Sequence, residues 1–166
     1  FYAGQLLESE TTAFYHCYYL PKPGHVWLGG ITYQYRYGRD IINNTLTMGG
    51  DEGLRGYKTN SFTGNKSLLF NFEFRHRLPS KWSKIALGQA FFVDSGYAWK
   101  KGQDIAFEDL KVNVGWGLRL DMPSIFGDKL LRFDLAVATD TGEVLASIVV
   151  GQIFRYNQLS ETSKDF

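Results

Sequence analysis

The chain has 166 residues, a formal net charge of +1 and 16% aromatic residues. This length allows one domain with a sizeable core, and the near-neutral charge argues against nucleic-acid binding, which needs a basic face. A single cysteine, Cys17, excludes an internal disulfide and a thiolate metal cluster. No run approaches the roughly 18 apolar residues of a membrane helix, which excludes a helical span but not a β-barrel span.

Alternating side chains, the pattern of β-strands, run through most of the chain. Two weaker candidates come first, at residues 2–7 and 12–20. Clear runs follow at residues 26–38, 68–78, 85–99, 110–122, 131–137 and 144–156. We therefore predict an all-β fold, an antiparallel meander of about eight strands.

The lengths and faces of these strands favour a membrane barrel over a soluble one. Many are about 11–15 residues long, against a mode of about 5–6 in globular proteins, and a tilted membrane strand needs about 9–11. In the run 85–99, large apolar residues alternate with alanine, glycine and one charge, Asp94. Charged residues such as Glu73 and Arg119 are tolerated in a wet lumen and costly in lipid. The alternative is a soluble β-sandwich or lipocalin-like barrel.

The connections between the strands alternate in length. Short turns are predicted at 21–24, 79–82 and 123–127, and long loops at 39–66 and 100–109. This alternation is typical of outer-membrane barrels and predicts extracellular long loops, with the short turns and the C-terminus periplasmic. The short connection 139–143 is an exception on the rim assigned as extracellular.

The loop at 39–66 exceeds the roughly 12–15 residues beyond which an unstructured loop calls for a functional explanation. Its central stretch places Arg55 among glycines. An arginine flanked by glycines can enter a narrow space, where it needs a carboxylate partner. Asp94 and Glu73, on the strands that follow, are the candidates. In the alternative arrangement Arg55 is solvated and both acids pair with arginines of the barrel wall, namely Arg75, Arg77 or Arg119.

At these residues the chain resembles the outer-membrane insertase–translocase barrel superfamily. That superfamily includes the barrel-assembly insertase, the translocation-and-assembly barrel, two-partner secretion transporters and patatin-fused relatives. The tetrapeptide Leu54-Arg55-Gly56-Tyr57 resembles the superfamily's loop-six motif. The stretch from Phe92 through Asp94 to Gly96 is similar to its motif on the second strand after that loop, and Glu73 stands where the superfamily carries an acidic partner. The spacing of Gly151, Phe154 and Tyr156 resembles its C-terminal assembly signal.

The resemblance implies that residues 1–166 are the C-terminal half of a sixteen-stranded transmembrane barrel. It also implies that Arg55 locks the loop inside the lumen against Asp94 and Glu73. The chain departs from the superfamily pattern in two places: Tyr57 stands where phenylalanine is frequent, and a polar tail, 157–166, follows the expected terminal aromatic residue. Because the chain opens without an initiating methionine or a signal peptide, we expect it to be a piece of a longer protein.

The function implied is the assembly of client proteins into, or their translocation across, the Gram-negative outer membrane. Expected partners are outer-membrane lipid, client polypeptides and any periplasmic domains or passenger encoded upstream; no nucleic acid and no cofactor are expected. Two alternatives remain open: an anchor barrel for an N-terminal passenger such as a patatin-like lipase, and a small independent eight-stranded barrel.

An enzymatic role is not expected. The chain has no Gly-x-Ser-x-Gly nucleophile elbow. Its histidines, His16, His25 and His76, lie in separate segments without metal-ligand spacing. We therefore predict no catalytic residue and no metal site.

Overall fold

A computed structural model describes residues 8–38, 45–50, 53–79, 85–122 and 130–151, and these form an all-β fold. The strands are β1 (Glu8–Lys22), β2 (His25–Gly38), β3 (Leu46–Met48), β4 (Phe62–Gly64), β5 (Lys66–Leu78), β6 (Ala86–Trp99), β7 (Lys111–Asp121), β8 (Leu130–Ala138) and β9 (Val144–Val150). A 3-10 turn, Phe107–Asp109, precedes β7. Within the described ranges, no helix has the length and apolar character needed to span a membrane.

The long strands form one antiparallel meander. Seven of them are neighbours in the order β1-β2-β5-β6-β7-β8-β9, and each described neighbouring pair is antiparallel. This confirms the all-β meander predicted from the alternation. The weak candidate at 2–7 lies outside the described residues, as does the last run beyond Gly151. The remaining strands, β3 and β4, pair as a short hairpin inside the predicted loop at 39–66, which is therefore partly a sheet of its own.

The two faces of the meander differ in the way that a membrane wall requires. Large apolar side chains on one face are exposed, among them Trp27, Ile31, Phe72, Phe91, Val93, Val114, Trp116, Phe133 and Leu135. The opposite face buries polar side chains such as Glu73, Asp94 and Asn113. A soluble β-sandwich would have its large apolar residues inside and its polar ones in water. The exposed apolar face instead suits lipid, as in a transmembrane barrel.

The hydrophobic core lies between the 39–66 loop and the polar face of the sheet, which is the inner face. Its buried members come from the loop and from small residues of the wall: Met48, Leu54, Tyr57, Ala98 and Ala138. Gly96 makes the close approach possible, because an added Cβ there would lie 2.5 Å from the carbonyl oxygen of Leu68 and 3.1 Å from the sulfur of Met48. The loop is therefore packed onto the wall.

The described sheet is open. Its two edge strands are β1 and β9, and each pairs with one neighbour within the described ranges. In β9 the register sets Val144 opposite Val137 and Val150 opposite Leu131, so its apolar residues continue the exposed face. An open meander with one lipid-compatible face is consistent with part of a larger barrel.

Candidate functional site

The glycines of the loop fold it into a tight turn that carries Arg55. Gly49 and Gly50 have φ values of 118° and 88°, a region that favours glycine. The Gly50 amide donates to the carbonyl oxygens of Leu54 and Tyr57, at 3.1 and 2.9 Å. These bonds close the backbone turn that carries Arg55.

Gly56 sets the distance between the loop and the wall. A Cβ added at this position would lie 2.5 Å from the Cβ of Asn113 and 3.1 Å from the amide nitrogen of Ala138. Cβ atoms do not normally come closer than about 3.0–3.4 Å to such neighbours. The backbone after Arg55 therefore lies directly on β7 and β8.

The guanidinium of Arg55 binds carboxylates from two strands. Its Nε and Nη2 donate to the two oxygens of Asp94 on β6, both at 2.8 Å, and its Nη1 donates to Glu73 Oε2 on β5, also at 2.8 Å. All three side chains are fully buried. The Cζ of Arg55 lies 3.3 Å from the centre of the Phe92 ring, a cation–π arrangement. Arg55 is thus bound on its edge by carboxylates and on its face by an aromatic ring.

Asp94 is held by amides on the strands that flank it. Asn71 on β5 and Asn113 on β7 are its register partners. Their Nδ2 atoms donate to the two carboxylate oxygens of Asp94, at 2.7 and 2.9 Å. This row of amides fixes the orientation of the carboxylate independently of Arg55, which reduces the conformational entropy lost in forming the pair.

Glu73 is the centre of a larger group of charges. Its Oε1 accepts from Arg75 Nε at 2.6 Å and from Arg119 Nη2 at 3.0 Å, and Arg119 also donates to Asp134. Asp134 Oδ2 in turn lies 3.6 Å from Arg55 Nη1. Arg75 and Arg119 of the wall therefore share Glu73 with Arg55, whereas Asp94 is bound by Arg55, which is buried rather than solvated.

A buried cluster of this kind is better at specifying a position than at adding stability. Removing two charges from water costs several kcal/mol per ion, and the attraction between them roughly offsets this when the geometry is good. Removing one partner is different, because it leaves an uncompensated buried charge and costs about 3–5 kcal/mol. The loop is thus held to one place on the wall.

Residues 21–154 match the family profile of the Omp85 superfamily domain. The chain belongs to the Omp85 superfamily. Its members are outer-membrane transporters and insertases that handle client polypeptides. This confirms the superfamily resemblance drawn from the loop and strand motifs. No curated protein matches the chain.

Phe92 corrects one interpretation of the Omp85 domain's sequence. The face of β6 that carries Asp94 was expected to hold only alanine and glycine otherwise, and this was wrong. Phe92 lies on the same face, 3% exposed, and forms the stacking surface for Arg55. On the next strand Gly115 makes room for it, since an added Cβ would lie 2.2 Å from the ring. The alternation of the sequence does predict the position of Phe92, because the even-numbered residues of this strand face inward.

Other members of the site in this Omp85 domain were not identified from the sequence. The side chains of Asn71, Asn113 and Asp134 are buried against the ionic group. Their residue types alone did not indicate that they belong to the site. They could be found only by knowing the strand register. Among the described residues, no group of three or more His, Cys, Asp or Glu side chains is arranged to hold a metal ion.

The predicted C-terminal assembly signal is only partly visible in the Omp85 domain. Gly151 follows β9 with a φ of 147°, and its amide donates to the carbonyl oxygen of Leu130 at 2.8 Å. Phe154 and Tyr156 lie outside the described residues. The arrangement of the three residues therefore stays a prediction.

Proposed function

We propose that this chain forms the loop-bearing wall of an outer-membrane barrel that assembles client proteins into the membrane or translocates them across it, without bond chemistry of its own. The observation that carries the proposal is the full burial of Arg55 between Asp94 and Glu73. An arginine that is merely part of a surface loop would keep its charge in water. Here the Arg55 guanidinium is removed from water and contacts the inner wall instead.

The loop would act by bracing the wall and narrowing the lumen. Its ionic contacts come from β5 and β6, and through Asp134 they extend to β8. A segment bound to strands that far apart resists a change in the curvature of the sheet between them. A sixteen-stranded barrel leaves an aqueous lumen, so a loop fixed inside it also limits the passage of solutes.

The edge of β9 is the proposed meeting point with clients. An unpaired strand edge presents a row of amide and carbonyl groups that an incoming strand can bind. Within the described sheet β9 pairs only with β8. In this proposal the long loops are extracellular, the short turns are periplasmic, and the first and last strands of the complete barrel form the seam.

The direct test is Asp94→Asn in the complete protein. The substitution keeps the size of the side chain and removes the charge that Arg55 binds through two hydrogen bonds. We expect a large fall in thermal stability of the barrel, because breaking a buried ion pair costs about 3–5 kcal/mol, together with impaired client assembly or secretion. Both are measured in outer-membrane fractions.

Glu10→Gln is the matched control. Glu10 pairs with Arg36 at 2.7 Å, but the two side chains are 44% and 25% exposed. An exposed pair contributes about 0.2–1 kcal/mol, so this variant should behave like the wild type. If Asp94→Asn leaves both stability and client handling unchanged, the loop lock has no function.

A further inference from the structure

The loop makes a second set of contacts, beyond Arg55, with the turn between β8 and β9. The hydroxyl of Tyr57 lies 2.7 Å from Asp140 Oδ1 and 3.1 Å from the carbonyl oxygen of Val112 on β7, and its single proton favours the shorter contact with the carboxylate. The Nζ of Lys58 lies 2.7 Å from Glu143 Oε1. Both acids belong to the turn that joins the last two described strands. The residues that follow Arg55 in the loop therefore reach the terminal hairpin.

Asp140 joins three elements of the fold. Besides Tyr57, it accepts a bond from Lys111 Nζ, at the start of β7, at 2.8 Å. The neighbouring Thr139 donates from its amide and its hydroxyl to the carbonyl oxygen of Val112, at 3.0 and 2.9 Å. The turn is thus held from the loop on one side and from β7 on the other.

Tyr57 differs from an ordinary surface contact because packing holds its ring independently of the hydrogen bond. The residue is 7% exposed and belongs to the hydrophobic core under the loop. Its ring packs edge-on against Phe62 with centroids 5.2 Å apart. A donor already held by packing loses little conformational freedom when it binds a carboxylate, unlike the flexible Lys58–Glu143 pair.

The edge strand of the hairpin that receives these contacts, β9, is the shortest strand of the seven-stranded sheet. β9 has seven residues and pairs with β8 alone in the described ranges. Its ladder to β8 runs from Val144 to Val150. The contacts at the turn act at the start of this ladder, where the edge strand β9 would otherwise separate from β8.

We propose that Asp140 and Glu143 are positioning residues through which the loop holds the terminal hairpin, with Tyr57 as the main donor. The inference rests on the proposed function, because it holds that the loop controls the edge of β9, the edge proposed to meet clients. Movement of the loop would be transmitted to β9, and release of Tyr57 from Asp140 would loosen that edge while the Arg55 contacts remain in place.

The test uses Tyr57→Phe in the complete protein, reconstituted in phospholipid vesicles. The substitution removes one hydroxyl and keeps the ring in the core. We expect amide hydrogen exchange in residues 144–150 to accelerate several-fold, with exchange in residues 86–99 unchanged. Asp140→Ala, which removes the acceptor oxygens of both Tyr57 and Lys111, should accelerate exchange in the same residues, and adding Tyr57→Phe to it should accelerate exchange little further.

Tyr15→Phe is the control, since Tyr15 is 67% exposed on β1, far along the sheet from the turn. It should leave exchange in β9 unchanged. If β9 of the Tyr57→Phe variant exchanges at the wild-type rate, the inference is overturned, even if Asp94→Asn impairs client assembly. An equal acceleration in β6 and β9 would also overturn it, because the hydroxyl would then support the whole wall. A selective effect on β9 would sustain it, even if Asp94→Asn shows the loop lock to be without function.

Discussion

The inner face of the sheet has two unlike halves. Strands β5 to β8 present buried charges, including Glu73 and Asp94, and the loop lies on them. Strands β1 and β2 border a cavity of about 680 Å³ with hydroxyl, amide, imidazole and aromatic groups, and the charged pair on the same face, Glu10 with Arg36, is partly exposed. The described lining of that cavity holds no Lys, Arg, Asp or Glu side chain. Asn71 stands at the boundary, lining the cavity while donating to Asp94.

The difference shows what decides where the loop lies. A buried carboxylate that has lost its water must keep a cationic partner, so the charged half attracts and holds Arg55. The ion pair on β1 and β2, Glu10 with Arg36, is partly exposed, so each of its groups can replace the other with water. The uncharged side chains that line the cavity need no charged partner, and the space beside them is open.

The largest effect should come from removing the cation on the charged half. Arg55→Leu leaves Glu73 and Asp94 buried without their shared partner, and we expect a loss of about 3–5 kcal/mol in unfolding free energy. Thermal unfolding of the barrel in detergent or lipid measures it. Glu10→Leu, at the other end of the sheet, removes one partner of an exposed pair and should cost about 0.2–1 kcal/mol. Equal losses at the two positions would remove the distinction between the halves.

The second effect concerns how closely the loop approaches the charged half. Gly56→Ala should force the loop off β7 and β8, because the new Cβ would lie 2.5 Å from that of Asn113. Such overpacking costs about 1–3 kcal/mol. Gly53→Ala is the matched control in the same loop, since its Cβ would meet no atom closer than 3.7 Å. Thermal stability and protease access to Lys58 should change in the first variant and not in the second; loss of protection in both would mean that the loop is not seated on the wall.

The difference between the halves was only partly predictable from the sequence. Alternation defines the strands and faces, since every second residue must meet lipid or lumen. Asp94 and Glu73 could be singled out because carboxylates at those positions need a partner. The hairpin β3–β4 was missed because its strands have three residues each, too few for a period to show. Contacts such as Tyr57 with Asp140 depend on where a turn 83 residues away comes to lie, which a local pattern cannot reveal.

The smallest effect is the pH dependence of the contact between Tyr57 and Asp140. Hydrogen bonds from Lys111 and Tyr57 lower the pKa of Asp140, so its ionised form supports the contact. That support is complete above the usual aspartate pKa of about 3.9 and is lost as the pH falls through the lower pKa of the folded state. Burial, reinforced by the bond to Asp140, raises the pKa of Tyr57, so its contribution is complete below about pH 10 and is lost as the pH rises further.

The contact should therefore be strongest between these limits. The loss of the contact at alkaline pH is the more informative of the two, because it follows from ionisation of the Tyr57 phenol. Hydrogen exchange in β9, corrected for the intrinsic effect of pH, should accelerate above about pH 10 in the wild type. In Tyr57→Phe, which has no phenol to ionise, β9 should already exchange fast near neutrality and show no such step. A step that persists in Tyr57→Phe would assign the alkaline change to another group and separate the loop from the terminal hairpin.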